Sequence, residues 1–241
     1  MSLEILYQDE DIVAVVKPAG ITVHGSGDRA SSDLESQVSK QLGRKSILLH
    51  RLDRDTSGIV LFAMRRTAAG VMSRAFEDGL IRKSYLAVVK GSWPGSVTKI
   101  ESFIERGEDQ KMVSRLQPPG RRSVTTFRVL MKSSEVDLIE ASPKTGRTHQ
   151  IRLHCAQVGH PICGDKLYGE SAEPGLQARI ATSLTQALHS YRIDFRHPTT
   201  EKPIRLYAPL PEFWHKTWLS FFELKKLDEK LKSVFRLTNL K

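Results

Sequence analysis

Residues 48–58 read Leu-Leu-His-Arg-Leu-Asp-Arg-Asp-Thr-Ser-Gly, and nonpolar segments flank them on both sides. Ile47-Leu48-Leu49 opens the stretch, and Ile59-Val60-Leu61-Phe62-Ala63 follows it. Short apolar runs around a polar segment that ends in glycine predict two buried strands joined by a turn. Within this turn Asp53 lies among cations, so its carboxylate is expected to stay ionised and to keep one direction. A nucleophilic or basic carboxylate needs both properties.

The same segment also fits ordinary turn chemistry. Asp and Ser side chains cap backbone N–H groups and glycine supplies a positive φ, so spacing alone leaves a structural turn open. A hydrolase that uses Asp53 and Asp55 as paired carboxylates is a further alternative. Both acids are flanked by arginines, which favours two ionised carboxylates, whereas an acid–base pair needs one of them protonated near neutral pH.

The composition indicates a polyanionic partner. The chain has 241 residues, with 37 Lys and Arg against 27 Asp and Glu, and a formal net charge of +10. Nucleic acid is the commonest partner of such a basic chain. No apolar run approaches the roughly 20 residues of a membrane span, and the amino terminus has no signal segment, so a cytoplasmic protein is expected. Cys155 and Cys163 are too few for a disulfide framework and lack zinc-site spacing.

A second polar segment covers residues 142–154, Ser-Pro-Lys-Thr-Gly-Arg-Thr-His-Gln-Ile-Arg-Leu-His. It predicts a strand end, a glycine turn and the start of a helix. A helix amino terminus with Arg147 and Arg152 is suited to phosphate or carboxylate binding, although a helix with solvated basic residues fits the same pattern. His149 and His154 are five positions apart and do not share a helix face, so a metal site is not expected.

Both segments resemble motifs of the RluA-type pseudouridine synthase family. Residues 50–58 match the pattern His-Arg-Leu-Asp-x-x-Thr-Ser-Gly at every fixed position, and residues 146–154 match Gly-Arg-x-His-Gln-Ile-Arg-x-His. Shorter matches occur at residues 17–20, 83–89 and 159–165, although Val16 stands where many relatives have Asn. The matches follow the order of the family along most of the chain.

The resemblance implies an enzyme that converts specific uridines of ribosomal or transfer RNA to pseudouridine by base flipping, without a cofactor or metal. By matching positions, Asp53 is the catalytic carboxylate, Arg152 pairs with it, and Tyr85 stacks near the uracil. Arg51 corresponds to the arginine that fills the gap left by the flipped nucleotide. Further RNA contacts are expected at His50, Arg54, Thr56, Arg147 and His149. An RNA-binding or RNA-folding protein with secondary or lost isomerase activity is the alternative.

The resemblance also implies an α+β fold, with a bent, mixed but mostly antiparallel sheet flanked by helices and a central RNA-binding cleft. Residues 1–210 are expected to form the catalytic domain, and residues 211–241 an amphipathic helical extension packed on it. The extension is expected to be one long helix with an aromatic stripe. Residues 107–120 are expected to be a polar loop. The oligomeric state is not readable from the sequence; a monomer is favoured.

Hydrophobic periodicity and turn residues predict the remaining elements. A helix over 33–42 has Ser31, Ser32 or Asp33 as candidate cap. The other helices are predicted over 66–78 and 148–158. Strands are predicted near 4–7, 12–16, 83–89, 124–130, 136–141, 189–195 and 204–207.

Overall fold

The computed structural model describes residues 2–25, 33–107, 111–169 and 185–236. Its strands are β1 (Ile5–Gln8), β2 (Ile12–Lys17), β3 (Ile47–Leu48), β4 (Ser57–Ala63), β5 (Arg82–Lys90), β6 (Val97–Arg106), β7 (Met112–Arg115), β8 (Arg121–Lys132), β9 (Val136–Pro143), β10 (Leu188–Arg196) and β11 (Pro203–Tyr207). Its helices are α1 (Leu34–Leu42), α2 (Arg66–Glu77), α3 (Gln150–Gln157), α4 (Glu212–Lys216) and α5 (Leu224–Arg236), with a 3₁₀ turn at Leu219–Phe221.

The chain divides into two compact units. The first consists of Met1–Lys83 and Ser190–Pro209, and the second of Ser84–His189 and Leu210–Lys241. Each unit combines antiparallel strand pairs with helices, so the α+β class is confirmed. Within the described parts of the chain, no helix has the length and apolar character required to cross a lipid bilayer.

The first unit is built around β4, in which all seven residues are buried. β2 pairs antiparallel with β1 and β4, β3 pairs with the far end of β4, and β10 pairs with β11. β4 lies between β2 and β10 in the strand order. Ile59 and Leu61 pack with Ile12, Ala14 and Met72 in one apolar cluster. A strand covered on both faces reads as a continuous apolar run, as β4 does.

The second unit contains a sheet with the order β5-β9-β8-β6-β7, and every neighbouring pair is antiparallel. α3 packs on this sheet through His154, which is fully buried. The His154 ring is within 2.9 Å of the hydroxyls of Ser102 and Thr125 and 3.1 Å of that of Ser123. Burial lowers the pKa of His154 to about 4, so the ring is neutral. The hydroxyls satisfy both ring nitrogens and hold α3 against the strands.

Most elements confirm the predictions within a few residues. The predicted helices correspond to α1, α2 and α3, and the predicted strands to β1, β2, β5, β8, β9, β10 and β11. Asp33 is the N-cap of α1, because its side chain accepts a hydrogen bond of 2.8 Å from the backbone N–H of Ser36. Ser31 and Ser32 lie outside the described residues.

The polar segment 107–120 is not simply a loop, because Met112–Arg115 forms β7. β7 lies at the end of the strand order, and its Arg115 donates a hydrogen bond of 2.6 Å to Glu105 on β6. Polar and charged side chains are typical of edge strands, where one side of the backbone remains unpaired. The prediction of a loop missed β7 because the strand is only four residues long, Met-Val-Ser-Arg, within a mostly polar segment.

The predicted single helix from Pro211 is wrong, because the segment is divided into α4, the 3₁₀ turn and α5. Phe222 is extended, with φ −113° and ψ 152°, and therefore ends the helical path. Trp214, Trp218 and Phe222 are all buried. The turns between them allow three bulky side chains to be buried where one straight helix would present them along a single stripe. The division at residue 210 into a catalytic domain and an extension stays a prediction.

Gly58 on β4 provides a test of the first unit. Its φ is +115°, and an ideal Cβ at this position would lie 2.2 Å from the backbone oxygen of Ser190 on β10. No side-chain rotation relieves a clash with backbone. We expect Gly58→Ala to lower the free energy of unfolding by at least about 2 kcal/mol in urea denaturation.

Gly70 on α2 is the matched control, since nothing lies within 4 Å of its ideal Cβ. Alanine is the better helix former, so Gly70→Ala should raise the free energy of unfolding by about 0.5–1 kcal/mol. A Gly58→Ala protein as stable as the Gly70→Ala protein would contradict the close approach of β4 to β10.

Candidate active site

The turn that carries Asp53 is anchored at both ends. The backbone N–H of Leu49 donates to the carbonyl of Leu61 on β4 over 3.3 Å. The carbonyl of Asp53 itself accepts a hydrogen bond of 3.1 Å from the N–H of Thr56. The Asp53 side chain is half-buried. The carboxylate therefore projects from a short, hydrogen-bonded turn at the start of the central strand of the first unit.

His50 belongs to the support of this turn. Its Nε2 accepts a hydrogen bond of 3.1 Å from the N–H of Leu61, so this nitrogen carries no proton. Its ring lies 4.9 Å from that of Phe76 on α2. Burial, assisted by the positive charge of Lys83, lowers the pKa of His50 to about 3. His50 is therefore neutral with its proton on Nδ1, and its RNA contact stays a prediction.

Lys17 at the end of β2 connects the turn that follows β2 with the turn that carries Asp53. Its side chain is fully buried, and Nζ donates to the carbonyls of Pro18, Ile21 and Arg54 over 2.9, 2.8 and 2.8 Å. The N–H of Gly20 donates to the same carbonyl of Arg54 over 2.9 Å. The three protons of the ammonium group thus have three acceptors, one of them in the residue that follows Asp53.

The carboxylates near Lys17 oppose the effect of burial on its pKa. Burial lowers the pKa of Lys17 to about 7, while the carboxylates of Asp55 and Asp53 act to raise it. The motif match included Lys17 but assigned it no role. A signal was present: a lysine directly after the apolar run 12–16 of a strand must find polar partners if its strand is buried.

The remaining residues of the turn differ in their exposure to solvent. Arg51 and Arg54 are exposed, and Nε of Arg54 lies 3.2 Å from Oδ1 of Asp55. Thr56 is only 2% exposed, which makes it part of the packing beneath the turn. Arg51 and Arg54 are therefore available to a partner from solvent. The RNA contacts predicted for Arg51, Arg54 and Thr56 stay predictions.

In the second unit, Arg152 on α3 forms a bidentate ion pair with Asp165. Nε of Arg152 donates to Oδ2 over 2.7 Å and Nη2 donates to Oδ1 over 2.9 Å. Oδ1 also accepts from the N–H groups of Leu167 and Tyr168. Burial raises the pKa of Asp165, but these hydrogen bonds and the charge of Arg152 outweigh it and lower the pKa. The predicted pairing of Arg152 with Asp53 stays a prediction.

Tyr168 links Arg152 to His149. The guanidinium carbon of Arg152 lies 5.0 Å from the centre of the Tyr168 ring, a cation–π distance. The Tyr168 hydroxyl lies 2.7 Å from Nδ1 of His149 and donates to the carbonyl of Met112 over 3.2 Å. The single hydroxyl proton goes to Met112, so the proton shared with His149 belongs to Nδ1. Sequence reasoning assigned no role to Asp165 or Tyr168.

His149 has a strained backbone, with φ +58° immediately before α3. Strain of this kind persists only where the surroundings hold it, and it is frequent at functional sites.

Arg147 is half-buried, and its Nε donates to the carbonyl of Arg122 over 3.2 Å. Tyr85 on β5 is 8% exposed and lies opposite Ala141 of β9. Among the predicted site residues of this unit, the structure connects Arg152 and His149; the roles of all four stay predictions.

Lys17→Met is expected to destabilise the protein by about 3 kcal/mol or more, because buried carbonyls lose their hydrogen-bond donor. The folded-state pKa of Lys17 is about 7 and its ordinary value is 10.5, so the unfolded chain binds more protons between them. The stability contributed by Lys17 therefore rises with pH above about 7. Urea denaturation of the wild-type and Lys17→Met proteins at about pH 6 and about pH 9 should show a larger difference in the free energy of unfolding at the higher pH. A difference that shrinks with pH would contradict the assignment.

Asp165→Ala is expected to lower the free energy of unfolding by about 3–5 kcal/mol, because it leaves a buried guanidinium without this carboxylate. Asp165→Asn keeps the shape of the side chain and one oxygen that can accept from the N–H groups of Leu167 and Tyr168. It should therefore lower the free energy of unfolding by less than Asp165→Ala does. Chemical denaturation measures both. Equal, small effects of the two substitutions would show that Arg152 does not depend on Asp165.

Comparisons with known proteins agree with the motif resemblance. The sequence profile of the family described as RNA pseudouridylate synthase matches residues 11–157. A ribosomal large subunit pseudouridine synthase C of Vibrio cholerae is 37% identical over 207 residues, which cover 86% of this chain and 65% of that protein. An RNA pseudouridine synthase of Bacillus subtilis named YjbO, described as uncharacterized, is 36% identical over 215 residues, with 87% and 73% covered.

A solved structure is also similar. The human RNA pseudouridylate synthase domain containing 1 superimposes with a TM-score of 0.72 at 28% sequence identity, over 87% of this chain and 84% of that one. The chain spans 65% of the length of the Vibrio cholerae relative. The profile match over most of the described first unit and into α3, together with this likeness of fold, confirms the RluA-type resemblance: the chain belongs to the RNA pseudouridylate synthase family.

Proposed function

We propose that the protein isomerises uridine to pseudouridine in RNA of the large ribosomal subunit, with Asp53 as the nucleophile. The observation that carries the proposal is the placement of Asp53, a half-buried carboxylate on a turn anchored to β4, next to the buried charge of Lys17. The family membership supports the reaction. The name of the Vibrio cholerae relative supports ribosomal RNA over transfer RNA as the substrate.

The reaction sets clear demands on this site. The N1–C1′ bond of the uridine must break and a C5–C1′ bond must form, while C5 loses a proton and N1 gains one. No electrons are gained or lost, so the step needs no redox partner. A carboxylate that attacks the uridine must be ionised, and Asp53 is the carboxylate that the motif match places at the reacting position.

Access to the uridine requires base flipping. A stacked uridine must leave the RNA helix before a side chain can reach it, at a cost of a few kcal/mol. Arg51 is exposed beside Asp53 in the same turn. Its planar guanidinium can occupy the vacated space and hydrogen-bond the orphaned base. We therefore propose that Arg51 fills the space that the flipped uridine leaves in the RNA helix.

Arg152 and Tyr85 complete the proposed site. The motif match supports Arg152 as the ion-pair partner of Asp53 and Tyr85 as the ring that faces the uracil. Within the second unit, Arg152 pairs with Asp165 through Nε and Nη2. A guanidinium can bind two carboxylates by different edges, so this pair is compatible with the proposed one.

Asp53→Asn is expected to lower the rate of pseudouridine formation by at least about 1,000-fold, because an amide is not a nucleophile of comparable strength. RNA affinity should change by no more than a few fold. The substrate is ribosomal RNA from a strain lacking the gene, and the product is mapped by carbodiimide treatment and primer extension. Pseudouridine formed by the Asp53→Asn protein at the wild-type rate would refute the assignment.

Asp55→Asn is the matched control, because Asp55 is also half-buried and also acts on Lys17. This variant should retain activity within about tenfold, as a residue without a covalent role. If wild-type protein binds RNA but forms no pseudouridine at any position, the RNA-binding alternative replaces the isomerase.

A further inference from the structure

Tyr168 has no part in the proposed reaction, although it contacts two residues of the predicted site. Its hydroxyl oxygen lies 2.7 Å from Nδ1 of His149. The guanidinium carbon of Arg152 lies over its ring, 5.0 Å from the ring centre. Tyr168 itself belongs to a short turn, residues 165–169, that follows α3 in the chain. A side chain that contacts two such residues is able to set their orientation.

The backbone of Tyr168 is fixed by the same carboxylate that binds Arg152. Oδ1 of Asp165 accepts from Nη2 of Arg152 over 2.9 Å and from the N–H of Tyr168 over 3.1 Å. The N–H of Gly169 donates to the carbonyl of Asp165 over 3.0 Å. An ideal Cβ on Gly169 would lie 2.3 Å from that carbonyl oxygen, so the turn is tightly closed. The Tyr168 side chain therefore starts from a point that is tied to the ion pair.

The other end of the Tyr168 side chain is held by β7. Its hydroxyl donates to the carbonyl of Met112 over 3.2 Å. β7 is itself joined to α3, because the hydroxyl of Ser114 lies 2.8 Å from Oε1 of Gln157. The ring is thus anchored at its backbone and at its hydroxyl. A side chain held at both ends has lost the rotamer freedom that an exposed tyrosine keeps.

Arg152 is restrained in two different ways. Its hydrogen bonds from Nε and Nη2 to Asp165 restrain rotation of the guanidinium within its own plane. The ring of Tyr168 lies at a cation–π distance and restrains movement of the group on that side. Arg152 is 8% exposed, so water contributes little to its surroundings. Together the two restraints give a flexible side chain a constant direction.

We propose that Tyr168 is a positioning residue for pseudouridine formation, which acts on the reaction through the guanidinium of Arg152. The inference rests on the proposed function, in which Arg152 pairs with Asp53. A displacement of about 1 Å near the reacting groups can lower a rate about 100-fold, so reduced order at Arg152 should be visible in the rate. Tyr168 makes no bond to the substrate in this proposal. The alternative is a tyrosine that only fills space and stabilises the fold.

Two substitutions separate the ring of Tyr168 from its hydroxyl. Tyr168→Leu removes both, and it should lower the single-turnover rate at saturating enzyme about tenfold or more. The enzyme concentration that gives half of this rate should stay within about threefold of wild type. Tyr168→Phe keeps the ring over Arg152 and should retain the rate within about threefold. The substrate is ribosomal RNA from a strain lacking the gene. Equal rates for the wild-type and Tyr168→Leu proteins would overturn the proposal.

A double-mutant cycle tests whether Tyr168 acts through Arg152. Arg152→Lys keeps the charge but cannot form the bidentate pair, so the ring has no guanidinium to position. Addition of Tyr168→Leu to Arg152→Lys should therefore lower the rate by less than about twofold. A further loss as large as the one that Tyr168→Leu causes alone would show that Tyr168 acts independently of Arg152.

Tyr7→Leu is the matched control for loss of a tyrosine. Tyr7 on β1 is half-buried like Tyr168, and its hydroxyl also donates to a protein oxygen, Oδ2 of Asp9, over 2.6 Å. Tyr7→Leu should destabilise the protein in urea, as Tyr168→Leu does, while its single-turnover rate stays within about twofold of wild type. A rate that falls equally in both variants would show that loss of stability explains the effect.

A measurement without RNA separates this proposal from the isomerase activity. The Nε–H group of Arg152 is observed by heteronuclear NMR, and its signal is the one lost in Arg152→Lys. Its heteronuclear NOE should be close to backbone values in the wild-type and Tyr168→Phe proteins and lower in Tyr168→Leu. An NOE that Tyr168→Leu leaves unchanged would overturn the proposal. If the wild-type protein forms no pseudouridine, the proposed function fails, and the NOE still decides whether Tyr168 positions Arg152.

Discussion

The geometry of the first unit depends on the buried ammonium group of Lys17. A lone ammonium in a protein interior costs several kcal/mol, and three backbone carbonyls offset part of that cost here. One of these carbonyls belongs to Arg54, so the turn that carries Asp53 provides one of the hydrogen-bond acceptors of Lys17. The hydrogen bonds of Lys17 and Gly20 to the Arg54 carbonyl therefore tie the end of β2 to the turn that carries the Asp53 carboxylate.

The second unit uses a buried charge in the same way. Arg152 would be costly on a helix packed against a sheet, and Asp165 compensates it through two hydrogen bonds. Tyr168 covers the guanidinium with its ring and fixes its hydroxyl to Met112 on β7. In both units the charged side chain is held by its own unit before any RNA is bound. Such preorganisation reduces the ordering that must occur on binding.

The sequence predicted those features that depend on local pattern. β4 was evident because its apolar run has no polar interruption, and Asp53 was evident because it belongs to a nine-residue motif. The contacts of Lys17 were not predictable, because its acceptor in Arg54 is 37 residues distant. β7 was missed because a strand of four residues is too short to show an alternating pattern. The interrupted C-terminal helix was missed because burial of Trp218 and Phe222 is decided by tertiary packing, which periodicity does not contain.

The net charge of +10 is informative only when the cations that have carboxylate partners are distinguished from the other cations. Arg122, Arg115 and Arg152 have carboxylate partners, so their charge is used within the fold. The charge of Lys17 is buried among carbonyls. What is available to a polyanion is the remainder, which includes the exposed cations Arg51, Arg121 and Lys144. Composition therefore predicts the class of partner, whereas the pairing of each cation determines where such a partner can bind.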